Sequence, residues 1–340
     1  MTRGRYDAHD QESYERPRRR TRPRTKERPS FADAVPARVV TVDRGRYTCV
    51  LTEEPAPTET ARVVTAMKSR PLGRKGVVVG DHVRLVGDVS GDEGSLARIV
   101  AVEERTTVLR RTADDDDPVE RVVVANADQL VVVTALADPE PRTGFIDRAL
   151  TAAFDADIHP LLCLTKADLA AADELLRLYR PLGVDWVVTR RGGDLDQLRA
   201  ALRDRASVLL GQSGVGKSTL VNALVPGAGR STGRVNAVTG RGRHTSTSAY
   251  ALRLPFGGWV IDTPGIRSFG LAHVDPDHLI EAFGDLVGLT AECPRGCSHG
   301  WQERECALDL VVGAGGADPA RVASYRRLLA SRDAAGAPST

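Results

Sequence analysis

The sequence contains no long apolar run and only five cysteines. None of its apolar stretches approaches the roughly 18 residues that a membrane-spanning helix needs, so no membrane partner is expected. The N-terminus lacks the apolar segment of a secretory signal peptide. The cysteines are too few and too clustered for a disulfide framework. These absences predict a protein of the reducing cytoplasm.

Charge is unevenly distributed along the chain. The 340 residues are 41% hydrophobic, which suffices for packed cores and favours two or three domains. The net charge is only +2, yet ten of the first 30 residues are Arg or Lys, without apolar periodicity. We therefore predict a disordered basic arm over residues 1–35. The arm either contacts RNA phosphates or is a solvated tail.

Residues 36–110 alternate short β-like runs with turns. Five strands are predicted, in ARVVTVD, RYTCVLT, ARVVTAM, DHVRLVGDV and ARIVAVEE. Five short strands at this spacing predict an OB-like β-barrel. The basic segment RPLGRKG (70–76) either touches RNA or is a solvated hairpin tip. The acidic segment RRTADDDDPVE (110–120) breaks the pattern, and we interpret it as an inter-domain linker.

From residue 121 onward, apolar runs alternate with helix-like segments. The runs are LVVVTAL (130–136), HPLLCLT (159–165), VDWVVT (184–189) and ASVLLG (206–211). This alternation predicts a domain over residues 111–275 with a parallel sheet covered by helices on both faces. The segment YALRLPFGGWVIDT (250–263) predicts a hairpin that forms an antiparallel edge of the sheet. A helical domain is expected over residues 276–340.

The segment GQSGVGKST (211–219) matches G-x-x-x-x-G-K-[ST] between an apolar strand and a helix-like segment. Its glycines let backbone N–H groups close around phosphates at a helix N-terminus. Lys217 can reach the β- and γ-phosphates, and Ser218 can ligate Mg²⁺. The predicted phosphate loop consists of Gly211, Gln212, Ser213, Gly214, Val215, Gly216, Lys217, Ser218 and Thr219.

Two further segments complete the predicted nucleotide site. WVIDTPG (259–265) ends a strand at Asp262, a carboxylate for the Mg²⁺ shell, and places Gly265 to sense the γ-phosphate with its N–H group. Guanine offers two donors that Asp168 can accept together, whereas adenine offers neither, so GTP is favoured over ATP. The base-reading residues are Thr165, Lys166, Ala167 and Asp168.

The order of these motifs is unusual, because the base-reading segment TKAD precedes the phosphate loop. A circular permutation explains this order, since domain termini often lie close together and can be joined. Lys166 is expected along the base and the phosphate loop. The motif usually begins with Asn, and Thr165 is expected to weaken one hydrogen bond.

With these motifs the chain resembles the RsgA family, circularly permuted GTPases that act on the bacterial small ribosomal subunit. The resemblance covers residues 36–335 and includes VVVANADQLVVV (122–133), GRHTSTS (242–248) and DTPGIRSFG (262–270). It implies an α/β P-loop GTPase with an N-terminal OB-like β-barrel and a C-terminal helical zinc-binding domain. Thr189 and Arg190 replace the usual Ser-Ala of a further base contact.

The water-positioning group is expected outside the DxxG motif. Ile266 follows that motif, where Ras-like proteins have a Gln that orients water. The resemblance implies slow hydrolysis until the small subunit binds. His244 is the candidate for positioning water, or else it only orders its loop. Thr245, in preference to Thr247, is the candidate Mg²⁺-sensing hydroxyl, and Lys217 completes the predicted catalytic set.

The segment CPRGCSHGWQEREC (293–306) has the spacing C-x₃-C-x-H-x₆-C. Three thiolates and one imidazole form a closed tetrahedral set that suits one structural Zn²⁺ and leaves no catalytic position open. The predicted ligands are Cys293, Cys297, His299 and Cys306. Buried free thiols are the alternative. The family's usual spacing, C-x₄-C-x-H-x₅-C, differs by one residue in each outer loop.

Together with the motifs, the resemblance implies a cytoplasmic, monomeric GTPase that binds the small ribosomal subunit and its rRNA. It would assist late maturation and hydrolyse GTP with Mg²⁺, stimulated by the subunit. The alternative is a GTP-gated RNA-binding assembly factor in which hydrolysis is incidental. A permuted GTPase of the large subunit is a third possibility, against which the barrel and the Cys/His cluster argue.

Overall fold

Short strands with alternating burial make up the first part of the fold. The computed structural model describes residues 31, 33–52, 62–72, 76–112, 120–226, 249–263, 271, 274–303 and 305–334. Its first five strands are β1 (Val35–Asp43), β2 (Arg46–Leu51), β3 (Val63–Lys68), β4 (His82–Gly87) and β5 (Ala97–Val102). All five strands predicted for this region are confirmed. The basic arm up to residue 30 and residues 73–75 of the basic loop lie outside the described residues.

These five strands close into a barrel. β1 pairs antiparallel with both β2 and β4, β2 with β3, and β4 with β5, while β3 and β5 run parallel. The side chains buried inside include Val39, Val64, Val83, Leu85 and Ile99. Because β4, the last strand in the order β1–β2–β3–β5–β4, pairs with β1, the ring of strands is complete. The predicted OB-like barrel is confirmed.

A second group of strands forms the predicted parallel sheet. Its order is β10 (Asp185–Val188), β9 (His159–Thr165), β8 (Gln129–Ala135), β11 (Ala206–Leu210) and β13 (Trp259–Asp262). Along β8, Leu130 and Val132 belong to one core, and Val131 and Val133 belong to another. All seven residues of β8 are buried, as expected for a parallel strand covered on both faces.

Helices cover both faces of this sheet. They are α1 (Thr143–Asp155), α2 (Asp173–Tyr179), α3 (Asp196–Leu202) and α4 (Lys217–Leu224). Residues of α1 and α2 pack in the core that contains Leu130, and residues of α3 and α4 pack in the other. The apolar runs separated by helix-like segments therefore give the doubly covered α/β sheet that the sequence predicts.

The predicted hairpin forms, but it does not make an edge of the sheet. Strand β12 (Tyr250–Arg253) pairs antiparallel with β13, as expected. On its other side it pairs with β1 of the barrel, through Thr41 and Tyr250. One continuous sheet of eleven strands results. The edge prediction was wrong because the sequence alone does not show which strand pairs with the outer side of β12.

The predicted acidic linker is flanked by paired strands. Strand β6 (Val108–Thr112) pairs antiparallel with β7 (Glu120–Ala125), so both ends of the segment 110–120 belong to a two-stranded ribbon. Residues 113–119, which include the four aspartates, lie outside the described residues. The linker interpretation was therefore wrong for residues 110–112 and 120. The domain boundaries at residues 110 and 275 stay predictions.

A polar junction joins the barrel to the sheet at the turn between β7 and β8. The Asn126 side-chain amide donates to Gly80 O at 3.1 Å, and its carbonyl oxygen accepts from Thr106 N at 2.9 Å. Arg38 of β1 donates to Asn126 O at 3.1 Å. The Arg38 guanidinium also lies 5.5 Å from the centroid of the Trp259 ring on β13. This buried cation thus bridges the two groups of strands.

The C-terminal part is helical, as predicted. Its helices are α5 (Pro276–Glu281), α6 (Gly284–Val287), α7 (Ala307–Gly313) and α8 (Pro319–Ala334). Asp275 caps α5 by accepting from Asp277 N. Helix α8 lies against α1, where Arg327 binds the buried carboxylate of Asp147. Among the described residues, no helix has the length and apolar character needed to cross a membrane.

Candidate nucleotide site and cysteine–histidine cluster

The segment 211–219 forms a tight loop between β11 and α4. Gly214 and Gly216 have φ angles of 82° and 94°, which favour glycine. A Cβ atom on Gly211 would lie 2.7 Å from Val133 O, so glycine is required there for close packing. The helix begins at Lys217, directly after the loop. Gln212 is partly exposed, Ser213, Ser218 and Thr219 are exposed, and Val215 is buried.

Lys217 and Asp262 form an ion pair beside this loop. Nζ of Lys217 lies 2.6 Å from Oδ1 of Asp262, and the two side chains are 15% and 9% exposed. The Tyr250 hydroxyl donates to Oδ2 of the same carboxylate at 3.0 Å. Burial raises the pKa of Tyr250, and Asp262 raises it further, so the hydroxyl stays protonated and can donate. Both carboxylate oxygens therefore have a donor.

The start of the TKAD segment is bonded directly to the glycine loop. The hydroxyl of Thr165, which is buried, lies 2.6 Å from Val215 O and 3.3 Å from Thr134 O. A hydroxyl has one proton, so the shorter contact is the better hydrogen bond. Thr165 thus joins the end of β9 to the glycine loop that follows β11. Although Thr165 replaces the usual Asn, its hydroxyl still bonds the base-reading segment to the phosphate loop.

The rest of the TKAD segment extends from this point into solvent. Lys166 has a φ of 58°, and its ammonium donates to Asp138 O, in the loop that follows β8. Ala167 N donates to Thr189 O at 3.2 Å. Asp168 is exposed. Its carboxylate is therefore accessible to a ligand at the carboxyl edge of the sheet, where open α/β sheets bind ligands.

Thr189 stabilises the loop that precedes α3. It is 5% exposed, its N–H donates to Leu164 O at 2.7 Å, and its hydroxyl lies 3.3 Å from the same oxygen. Arg190, the next residue, is exposed. Of the two residues that replace Ser-Ala, Thr189 is therefore buried and structural, and Arg190 faces solvent.

Two partners in this site were not found from the sequence, namely Tyr250 and Asp138. The hairpin register could have identified Tyr250. Arg253 pairs with Trp259, and three residues further from the turn on each strand Tyr250 lies opposite Asp262. No comparable signal marks Asp138, which binds Lys166 from a loop far away in the chain. The predicted residues Gly265, His244 and Thr245 lie outside the described residues.

The four residues of the C-terminal motif are brought together. Nδ1 of His299 is 3.5 Å from Sγ of both Cys293 and Cys297 and 3.8 Å from Sγ of Cys306. The sulfurs of Cys293 and Cys306 are 4.0 Å apart, and all four atoms lie within 4.8 Å of one another. Tetrahedral Zn–S bonds of about 2.3 Å imply sulfurs about 3.8 Å apart. The donor set and its spacing therefore fit one zinc ion.

The cluster is supported by Arg326 of α8. Its Nε donates to His299 O at 3.0 Å, and its two other nitrogens bind the Asp309 carboxylate at 2.7 and 2.9 Å. This bidentate pair lowers the pKa of Asp309. His299 has a φ of 58°, a conformation that such contacts help to hold.

The other two cysteines differ from the cluster. Cys49 and Cys163 are fully buried in strands, as predicted for core residues. Burial raises the pKa of each thiol to about 12, so both stay protonated. Only the clustered cysteines among the described residues combine with a histidine in this way.

Comparison with known proteins matches this architecture. A solved structure of YjeQ from Thermotoga maritima has a TM-score of 0.64 and 25% identity, covering 88% of this chain and 98% of that one. A second, titled YloQ, a circularly permuted GTPase, has a TM-score of 0.63 and 23% identity, covering 92% of this chain and all of that one. The fold is therefore that of a circularly permuted P-loop GTPase with a barrel before it.

Curated relatives give the same result at the level of sequence. The small ribosomal subunit biogenesis GTPase RsgA of Pseudomonas aeruginosa strain LESB58 is 46% identical over 218 residues, which span 62% of this chain and 64% of that protein. The protein of the same name from Chlorobaculum parvum is 37% identical over 287 residues, 82% of this chain and 92% of that protein. The RsgA GTPase family profile matches residues 102–272. The chain belongs to the RsgA GTPase family.

Proposed function

We propose that this protein binds GTP with Mg²⁺ and hydrolyses it to GDP and phosphate, stimulated by the small ribosomal subunit whose late maturation it assists. One observation carries the proposal: the TKAD segment, the glycine loop and Asp262 converge at one edge of the sheet. Thr165 bonds the first two, and β11 and β13 are neighbours, with Leu209 paired to Asp262. The relatives' names supply the ribosomal partner.

Guanine is the base that this arrangement favours. The exposed Asp168 accepts from N1–H and the 2-amino group together, and adenine would leave that carboxylate unpaired. The Thr165 bond to Val215 O keeps the base-reading segment at a fixed place relative to the phosphate loop. Discrimination thus comes from a charged acceptor held on the rigid ends of the strands.

Lys217 is the phosphate-binding cation. In the structure its ammonium is bonded to Asp262, and GTP replaces that carboxylate with the β- and γ-phosphates. The Ser218 hydroxyl and the Asp262 carboxylate are hard oxygen donors of the kind that Mg²⁺ prefers, the latter acting through water. Bound Mg²⁺ neutralises charge that develops on the phosphates during hydrolysis.

The attacking water requires a further group. We assign it to His244, with Thr245 as the Mg²⁺-sensing hydroxyl, both outside the described residues. Slow hydrolysis by the free protein is expected because a productive arrangement of these groups would need the ribosomal partner. The Cys/His cluster holds one structural Zn²⁺ per chain and takes no part in the reaction.

RNA phosphates of the small subunit are the proposed contact for the basic arm and the barrel. The protein acts as a cytoplasmic monomer. The OB-like barrel supports this assignment by fold analogy, since such barrels often bind oligonucleotides.

The function is tested by measuring GTP and ATP hydrolysis alone, with small subunits and with large subunits. We expect GTP hydrolysis to rise only with small subunits and ATP hydrolysis to stay at background. Stimulation by large subunits alone, or by neither, would overturn the proposal. Asp168→Asn should remove the preference for GTP, while Asp173→Asn, at an exposed position on α2, should preserve it. Complementation of a maturation defect by a His244→Ala variant that binds GTP but does not hydrolyse it would show that hydrolysis is incidental.

A further inference from the structure

Tyr250 occupies a place at which the barrel and the nucleotide site meet. Its backbone pairs with Thr41 of β1 on one side and with Asp262 of β13 on the other. Its hydroxyl donates to Oδ2 of Asp262 at 3.0 Å. Cross-strand partners project to the same face of a sheet, so this contact follows from the hairpin register. The position of the hydroxyl is therefore fixed by strands on both sides.

The proposed function takes the Lys217 ammonium from Asp262 to the phosphates. Its ammonium now lies 2.6 Å from Oδ1, and the proposed function directs the same ammonium to the β- and γ-phosphates. When Lys217 changes partner, Oδ1 loses its donor. Among the described residues, Tyr250 Oη is then the side-chain donor that remains on the Asp262 carboxylate, and it donates to the other oxygen, Oδ2.

We propose that Tyr250 is a positioning residue that holds Asp262 by one oxygen, so that the other remains directed at the magnesium shell of the bound nucleotide. The inference rests on the proposed function, because it requires a nucleotide and Mg²⁺ in this site. A donor to a ligating carboxylate fixes its orientation, and loss of such donors typically lowers metal affinity. Tyr250 therefore acts on Mg²⁺ affinity and not on the base or the phosphates directly.

A purely structural role would give a different result. If Tyr250 only filled space between β1 and β13, its ring would suffice and its hydroxyl would be dispensable. Tyr250→Phe separates the two roles because it removes the hydroxyl and keeps the ring. Tyr179→Phe is the matched control, since Tyr179 is buried in α2 and its hydroxyl donates to Thr143 O at 3.3 Å, in a bond that involves none of the nucleotide-site residues.

The test measures release of a fluorescent GDP analogue from the full chain over a series of free Mg²⁺ concentrations, beginning with excess EDTA. Tyr250→Phe should need about tenfold more Mg²⁺ to slow release, while its release rate in EDTA stays that of the wild type. Tyr179→Phe should match the wild type throughout. In an Asp262→Asn background, Tyr250→Phe should have no further effect. Tyr250→Leu is a second variant without the hydroxyl, for which the same shift is expected.

Three results would overturn the inference. They are an unchanged Mg²⁺ dependence in Tyr250→Phe, release that is faster to the same degree with and without Mg²⁺, and a full additional effect in the Asp262→Asn background. These readouts need no ribosomes, so they are independent of the subunit-stimulated reaction. A wild-type chain that does not bind the GDP analogue would instead refute the proposed nucleotide site. A wild-type chain whose GDP release does not depend on Mg²⁺ would refute the magnesium shell at Asp262, and the role of Tyr250 with it.

Discussion

The glycine-loop site and the Cys/His cluster both gather side chains that can ligate a metal ion, but their polar groups are held differently. Lys217 and Asp262 neutralise each other in a pair that GTP opens under the proposed function. In the cluster the four donor atoms face one another within 4.8 Å, and Arg326 fixes the backbone at His299. In the proposed function the ion pair exchanges partners, whereas the four donor atoms of the cluster keep theirs. Substitutions in the loop site should therefore change binding, whereas those in the cluster should change stability.

Removing one ligand of the cluster should have the largest effect. Cys306→Ser is expected to lower zinc content well below one per chain and the Tm by about 10 °C, because a structural zinc site contributes directly to folding. Elemental analysis and calorimetry measure the two quantities. The control is Cys49→Ala, which removes a buried thiol of the barrel core and should leave the zinc content unchanged. Full zinc content in Cys306→Ser would show that the ligand set is wrong.

The next largest effect is expected at the ion pair that holds helix α8 against α1. Arg327→Leu leaves the Asp147 carboxylate, which is 5% exposed, without its cation, and we expect a loss of about 3 kcal/mol in the free energy of unfolding. Burial raises the pKa of Asp147 in spite of Arg327, so Asp147→Asn should cost less, about 1 kcal/mol. Denaturant titration of the two variants and the wild type measures both losses in the free energy of unfolding. Equal losses would contradict this asymmetry.

In the loop site, Lys217→Ala should lower affinity for GTP and GDP roughly a hundredfold, since charge-assisted contacts to the phosphates are lost. Its Tm should fall less than that of Arg327→Leu. Calorimetric titration gives the affinity. Arg199→Ala, which removes an exposed cation on α3, is the control and should bind normally. A Lys217→Ala protein with unchanged affinity would refute the proposed role of the lysine.

The smallest effect is expected at Thr165. Thr165→Val removes the bond to Val215 O and should weaken nucleotide binding about fivefold, or ~1 kcal/mol. The preference for guanine should persist because Asp168 is untouched. Thr107→Val removes a comparable bond, 2.7 Å to Ala127 O, outside the loop site and should leave affinity unchanged. Competition between GTP and ATP measures both properties.

Features with a local signal were predictable from the sequence. The barrel strands follow the alternation of apolar and polar residues, and the buried β8 and β11 follow continuous apolar runs. The glycine loop and the Cys/His cluster depend on short spacings, and the structure brings the residues of each together. In these cases neighbouring residues along the chain determine the structure.

Features that depend on distant pairing were not predictable. The contact of β12 with β1 and the bond from Lys166 to Asp138 join segments whose sequences show no sign of one another. The arginines of α8 are a further example, because Arg327 resembles any exposed helical arginine until α1 is placed beside it. Register and packing determine these contacts, and neither is read from one segment.

The pairing of β12 with β1 also has a consequence for the protein's solubility. An unpaired strand at the rim of a sheet is a template for association with other chains. Without the barrel, the backbone groups of Tyr250 that face Thr41 would be uncovered, and Trp259 would lose the cation of Arg38. A fragment beginning after β5 should therefore aggregate where the whole chain does not. By covering β12, the barrel leaves that side of the sheet without a free edge for edge-to-edge association.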